Sequence, residues 1–288
     1  MYKLSLTLLA IILAFKCISA DIPTRLLNNG QKIPIVGLGA GHVTEESVRS
    51  ALEVGYRHID TSLNYGDSEI IIGKVLKEVL KDGKIKRQDL YIVSKLETEY
   101  HTRSRVPEGI KKSLQRLDLD YLDLYLIHSP DSQPANITVG ETWLGMIDVL
   151  KANLTRSIGV SNFNQKQLDE VIAKGVVPVT NQVICNPYVN ERKLLAYADS
   201  HNVTLTAYSP VGGRAYPDLL KDPKLIEIGN KYKVSSAQVA LRFEIQRGVI
   251  AIPNSQNPKY IKENIDVFGF KLTDEDIKAI EALNKKDS

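Results

Sequence analysis

Cysteine is almost absent. Cys17 and Cys185 are the only two among 288 residues, too few for a disulfide-built scaffold or a cysteine-cluster metal site, and no metal is expected. A charge excess is missing as well. Thirty-seven Lys and Arg against 34 Asp and Glu leave a net charge of +3, too small and too dispersed to call for a nucleic-acid partner. Eighteen Gly and twelve Pro are scattered singly, which excludes collagen-like or disordered composition and fits turns between many short elements. No Pro/Ser-rich linker, low-complexity tract or short repeat argues for two domains or a solenoid. With 43% hydrophobic and 25% charged residues, what is present is an ordinary soluble chain with ample sequence for a core.

The one long apolar run stands at the start. Lys3 precedes Leu4 to Phe15, a stretch of Leu, Ile and Ala broken only by Ser5 and Thr7, and Cys17-Ile-Ser-Ala20 supplies small residues before Asp21. This is the order of a secretory signal, and the run is too short to span a bilayer. Residues 1–20 are therefore read as a signal peptide and 21–288 as the mature domain, secreted or in the secretory lumen, without stable membrane insertion. A buried N-terminal helix and an uncleaved anchor are the alternatives. Cleavage after Ala20 removes Cys17 and leaves Cys185 alone, read as an inert buried thiol. Sequons at Asn136, Asn153 and Asn202 fall in predicted loops or helix ends, where a glycan projects. Asn153 and Asn202 are placed opposite the catalytic face, and Asn136 on it.

Thr24 to Ile33 reads as a short hairpin, because Asn29-Gly30 suits the positive φ of a tight turn. Eight β-like runs follow: 36–39, 57–60, 90–95, 122–128, 157–161, 179–182, 204–208 and 249–253. Helix-period stretches lie between them, as at 45–54, 69–80 and 107–117. Eight strands alternating with helices predict a (β/α)₈ TIM barrel with an N-terminal hairpin; a doubly wound open sheet is the runner-up. Gly37, Gly39 and Gly41 suggest a dinucleotide fingerprint, but His42 occupies the third glycine position, so that fold is rejected.

In a barrel, chemistry gathers at the C-terminal strand ends. Those positions hold Asp60, Tyr65 on the following loop, Lys95 and His128. Singly, each has a plain structural explanation; together they fit one chemistry. A phenol, with a pKa near ~10, is a poor acid until a neighbouring ammonium stabilises the phenolate, and Asp60 would hold Lys95 charged beside Tyr65. His128 can orient a substrate oxygen beside the Tyr65 hydroxyl. A proton donor poised over a carbonyl leaves the carbon needing a hydride, so a nicotinamide is called for.

The segments carrying these residues, Gly55–Gly66, Ile92–Leu96 and Leu126–Pro130, resemble the signature segments of the aldo-keto reductases. So do Ser157–Asn164, Asn181–Pro187, Tyr208–Gly212 and Ile252–Ser255. The resemblance runs from about Thr24 to Leu283. It implies a (β/α)₈ fold, NADPH or NADH bound without a dinucleotide fold, and reversible reduction of an aldehyde or ketone. It also makes Tyr65 the general acid, Lys95 and Asp60 its tuning pair and His128 the substrate orienter. Ser161, Asn162 and Gln182 would hold the nicotinamide carboxamide, and Tyr208 would stack on the ring. Ser209, Pro210, Val211 and Gly212 would line the pyrophosphate, and Ser255, Glu263 and Asn264 the adenosine. Gly39 and Asp60 complete the expected cofactor contacts.

Two regions depart from the family. Members preferring NADPH mostly have Lys at the position of Asn254 and Arg at that of Tyr260. Losing two charge-assisted bonds of ~1.5–3 kcal/mol each predicts a weaker 2′-phosphate preference, by roughly two to four orders of magnitude, unless the adjacent Lys259 substitutes. At the substrate end, Gly41, Glu97 and Ser129 stand where aromatics are common. The segment before Trp143 and the tail from Asn284 are short. A shallow, open, polar pocket is expected, unless Trp143 or Tyr188 refills it. Trp143 itself reads as packing. Such a pocket suits a bulky ketone; arthropod members that reduce ecdysteroid ketones are the analogy. A monomer acting on a small-molecule carbonyl substrate is expected. The second reading is a secreted, non-catalytic binding protein on the same scaffold, which would not quench or enhance cofactor fluorescence.

Overall fold

The computed structural model describes residues 22–132 and 136–286; the leader assigned to residues 1–20 lies outside them. An antiparallel pair opens the chain, β1 (Thr24–Leu26) and β2 (Lys32–Pro34). Leu26 faces Lys32 and the Leu27 N–H reaches Gln31 O at 2.8 Å, so the bend is a five-residue loop. In it Gly30 takes a φ of 83°, while Asn29 stays at negative φ and accepts from Gln31 N at 3.1 Å. The expected hairpin is present, but its turn is longer than the Asn29-Gly30 pair predicted.

Eight parallel strands follow: β3 (Leu38–Gly39), β4 (His58–Asp60), β5 (Tyr91–Leu96), β6 (Leu124–Ile127), β7 (Ile158–Ser161), β8 (Thr180–Ile184), β9 (Thr204–Tyr208) and β10 (Ile250–Ile252). Neighbours in the sheet are neighbours in the chain, and a parallel bridge from Val36 to Ala251 joins its two ends. This is the TIM barrel; the doubly wound sheet is excluded. A Cβ added at Gly39 would lie 2.6 Å from Ile252 O, so closure at that point requires glycine.

Ten helices ring the barrel among the described residues: α1 (Glu45–Glu53), α2 (Ser68–Lys81), α3 (Val106–Leu117), α4 (Val139–Lys151), α5 (Gln165–Ile172), α6 (Arg192–Ser200), α7 (Pro223–Tyr232), α8 (Ser236–Gln246), α9 (Pro258–Ile265) and α10 (Asp274–Glu281). Reciprocal capping boxes start four of them, at Thr44, Asn164, Ser235 and Thr273, and each cap stabilises its helix by about 1 kcal/mol. None of the described helices is long and apolar enough to cross a membrane.

Strand alternation places the site. Outward residues such as Ile59, Ile92, Tyr125 and Ile127 pack on the helices. Inward Tyr91, Val93, Leu124 and Leu126 cluster with Leu27 and Ile33 of the hairpin, which thus plugs the N-terminal end of the barrel. Continuing the same parity by two residues leads from Val93 to Lys95 and from Leu126 to His128. Asn153 and Asn202 are exposed in the turns before β7 and β9, on the plugged face.

Candidate active site

At the C-terminal end the inward layer changes from apolar to ionisable. Lys95 and Asp60 are 1% and 2% exposed. Lys95 Nζ donates to Asp60 Oδ1 at 2.5 Å and to Thr61 O at 2.8 Å. Burial works against the ammonium, but attraction to Asp60 and to Tyr65 and the bonds to both outweigh it and raise the Lys95 pKa. Lys95 is therefore charged, as required of it. The other Asp60 oxygen accepts from Gln182 Nε2 at 2.6 Å, so the buried carboxylate has a partner on each side.

Tyr65 is half-buried in the loop between β4 and α2, where its N–H bonds Ser62 O at 3.2 Å. The Lys95 ammonium lies 4.9 Å from its ring centroid. His128 meets the same ring edge-on, with centroids 5.7 Å apart and planes at 81°. All four predicted residues come together. Asp60, Tyr65 and His128 line a cleft of about 320 Å³ with Gly39, Ser161, Asn162, Gln182, Tyr208 and Ser209, and Lys95 lies beneath its floor.

The residues expected to hold a carboxamide are wired to one another. Ser161 Oγ donates to Gln182 O at 2.8 Å and accepts from Asn162 Nδ2 at 3.1 Å. The same Nδ2 bonds His128 O at 3.0 Å, and Tyr208 OH donates to Asn162 Oδ1 at 3.0 Å. Asn162 has a φ of 64°, a conformation Asn tolerates better than most residues.

A second cleft of about 410 Å³ holds Val211, Asn254, Ser255, Tyr260, Glu263 and Asn264; Asn254 lines both clefts. Pro210 and Gly212, in the segment whose backbone is expected along the pyrophosphate, are buried, between Ser209 on the first cleft and Gly213 on the second. The positive φ of Gly212, 88°, serves the turn: a Cβ there would lie 2.5 Å from Tyr216 O. Asn254 Nδ2 donates to Gly41 O at 2.7 Å, and Gln256 to His42 O, tying the loop after β10 to the loop after β3. Lys259 lines an adjoining depression with Lys233 and Lys262, which shares Ser235 and Glu263 with the second cleft. Among the described residues, the only charged side chain lining the second cleft itself is Glu263. Two clefts joined end to end through Asn254, amides in one and Ser255, Tyr260 and Asn264 beside Glu263 in the other, fit a nicotinamide dinucleotide.

Glu97 needs a correction. Expected as part of the pocket wall, it is 6% exposed and sits behind His128, its Oε1 2.8 Å from Nδ1. Burial pushes its carboxyl up, but bonds from His128 and Ser62 and the Lys95 charge outweigh this and hold it below the ordinary carboxylate range. The missed signal was parity: Glu97 stands two residues beyond Lys95. Trp143 is buried in α4, donating to Val176 O at 3.0 Å, and Tyr188 OH bonds Asp222 at 2.8 Å. Neither lines the cleft, so neither refills it. Cys185 is fully buried, 3.3 Å from Glu244 Oε2, and burial together with that carboxyl pushes its pKa well up. No group of three or more His, Cys, Asp or Glu among the described residues could hold a metal ion.

Comparison with known proteins agrees with this geometry. The Aldo/keto reductase family model matches residues 42–285. The chain is 40% identical over 290 residues to aldo-keto reductase AKR2E4 of Bombyx mori, covering 93% of this chain and 94% of that protein. It is also 40% identical over 293 residues to prostaglandin F synthase 1 of Bos taurus, covering 90% of each. The crystal structure of Bombyx mori AKR2E4 in complex with NADP superposes with a TM-score of 0.86 at 39% identity, covering 92% of this chain and 94% of that one. The chain belongs to the aldo/keto reductase family and is an NAD(P)H-dependent oxidoreductase.

Proposed function

We propose that the protein reduces a bulky ketone, of steroid size, with Tyr65 as the proton donor. The carrying observation is the buried Lys95–Asp60 pair beside the Tyr65 ring, with His128 across it. The Tyr65 hydroxyl gives its proton to the carbonyl oxygen, Lys95 stabilises the phenolate left behind, and His128 fixes the oxygen in reach. Reduced nicotinamide, when bound, supplies the hydride to the carbonyl carbon. Asp60 keeps Lys95 charged and, through Gln182, links the proton chemistry to the carboxamide end of the cleft. The small residues Gly39 and Gly41 on the cleft wall, and the absence of Trp143 and Tyr188 from it, support the bulky substrate.

Cofactor choice is relaxed or leans to NADH. The relative from Bombyx mori was crystallised with NADP; here the adenosine cleft offers Asn254 and Tyr260, and its one charged lining residue, Glu263, would repel a 2′-phosphate. A panel of small aldehydes and bulky ketones, run with each cofactor, tests both points. NADH efficiency within about tenfold of NADPH, with ketones favoured, is the expected result. A preference for NADPH of about a thousandfold, equivalent to ~4 kcal/mol, would restore a phosphate site in the cleft.

The same reading places the enzyme in the secretory route, on the strength of the charge, apolar run and small residues of positions 3–20. Asn153 and Asn202 are exposed on the face away from the cleft, where glycans leave catalysis unhindered. Sequencing of the protein secreted from a eukaryotic host should begin at Asp21. Retention in the cytosol with Met1 intact would refute the assignment.

A further inference from the structure

The carboxylate of Glu97 faces the ring that meets the substrate. Glu97 follows β5 with the inward parity of Lys95, one layer nearer the cleft mouth. Its Oε1 lies 2.8 Å from His128 Nδ1 and accepts from Ser62 Oγ; its Oε2 accepts from Asn64 Nδ2 at 2.8 Å. An ionised carboxylate can only accept, so Nδ1 carries a hydrogen. The ring then has Nε2 left. In a neutral imidazole protonated at Nδ1, Nε2 is an acceptor; it donates only when the ring is an imidazolium. A carbonyl oxygen is also an acceptor. Acceptors at both nitrogens are satisfied together by the doubly protonated ring.

We propose that Glu97 is a positioning residue that fixes His128 with Nδ1 protonated and keeps the ring an imidazolium during reduction, so that Nε2–H donates to the substrate oxygen. In the reverse direction the alcohol returns its one O–H proton to the Tyr65 phenolate, and Nε2–H still donates to the alcohol oxygen.

The groups around the ring support the charge balance. From the loop after β4 come Asp60, paired with Lys95, and the Tyr65 ring. From β5 and the turn after it come Lys95, Glu97 and His101, and from the loop after β6 comes Asp131. The bond and attraction to His128 and the Lys95 charge lower the Glu97 carboxyl. His101 is 1% exposed; burial pushes it down to about 4, so it is neutral and adds no opposing charge. Asn162, whose Nδ2 bonds His128 O, is uncharged.

This inference deepens the reading of His128 as the carbonyl orienter, and its test does not need turnover. The chain has five histidines, few enough to follow by nitrogen NMR of ¹⁵N-labelled protein, with His128 identified by loss of its signals in His128→Gln. Wild type should show His128 protonated at Nδ1 throughout. In Glu97→Gln the ring should lose its fixed Nδ1–H and exchange between tautomers, and kcat/KM for reduction should fall by about tenfold or more. Glu97→Asp should recover part of both. A His128 protonated at Nε2 alone in wild type, or an unchanged Nδ1–H signature in a Glu97→Gln protein that melts normally, overturns the proposal. Loss of the fixed Nδ1–H without carbonyl turnover in any form, wild type included, instead overturns the reductase reading and leaves the carboxylate–imidazole pair standing.

Discussion

Tyr65→Phe should lose carbonyl reduction by a factor of ~10²–10⁴ in kcat, the contribution typical of a positioned acid and equivalent to about 3–5 kcal/mol of barrier. The substitution deletes one oxygen and keeps the ring. The edge-on contact with His128 and the position over the Lys95 ammonium both belong to the ring, so the cleft keeps its shape. Cofactor affinity, followed by fluorescence of the reduced nicotinamide, should stay within about twofold of the parent. That combination separates a missing proton from a missing fold. Turnover within tenfold of the parent would move the acid role to another group, His128 being the one across the cleft.

Lys95→Met should damage stability as well as rate. Lys95 and Asp60 are both nearly inaccessible, and removing one member of a buried pair leaves the other uncompensated, at a cost of about 3–5 kcal/mol. Asp60 would then be held by Gln182 alone. The measurement is a lower urea midpoint with unchanged slope. The pH dependence has a definite sign. The Lys95 pKa is raised in the fold, so the wild-type stabilisation is fully present below an ordinary lysine pKa of ~10.4. It is lost as pH rises through the higher folded value. Lys95→Met should lack this alkaline loss. Combining it with Asp60→Asn should restore part of the midpoint, because the unpaired charge is gone. An unchanged midpoint in Lys95→Met would show that the pair has no net structural weight.

The barrel was readable because each strand leaves a short apolar run, and its count and order held from Leu38 to Ile252. Ends were less readable. Leu122 looks like the start of a strand but makes only an isolated bridge to Thr155, and β6 begins at Leu124 because Asp123 turns its side chain to Ile92 N at 2.9 Å. Asp60, Tyr65, Lys95 and His128 were legible because a barrel collects strand ends. Glu97 was within reach of the same alternation, yet its carboxylate was assigned to the wall rather than to His128. The bond from Gln182 to Asp60 was not: 122 residues separate its partners, and no local pattern encodes a contact across the barrel.

That bond has a direction, and the direction propagates. With an ammonium on one oxygen, Asp60 offers only lone pairs on the other, so Gln182 must turn its NH₂ toward the carboxylate. Gln182 Oε1 is then the end of the amide turned from the carboxylate, an atom that accepts and never donates. An amide ligand can meet it only N–H first. The way round that a carboxamide would meet that atom is thus set by a carboxylate that is also the partner of a buried lysine. A change at Asp60 would alter the polarity of recognition together with the chemistry.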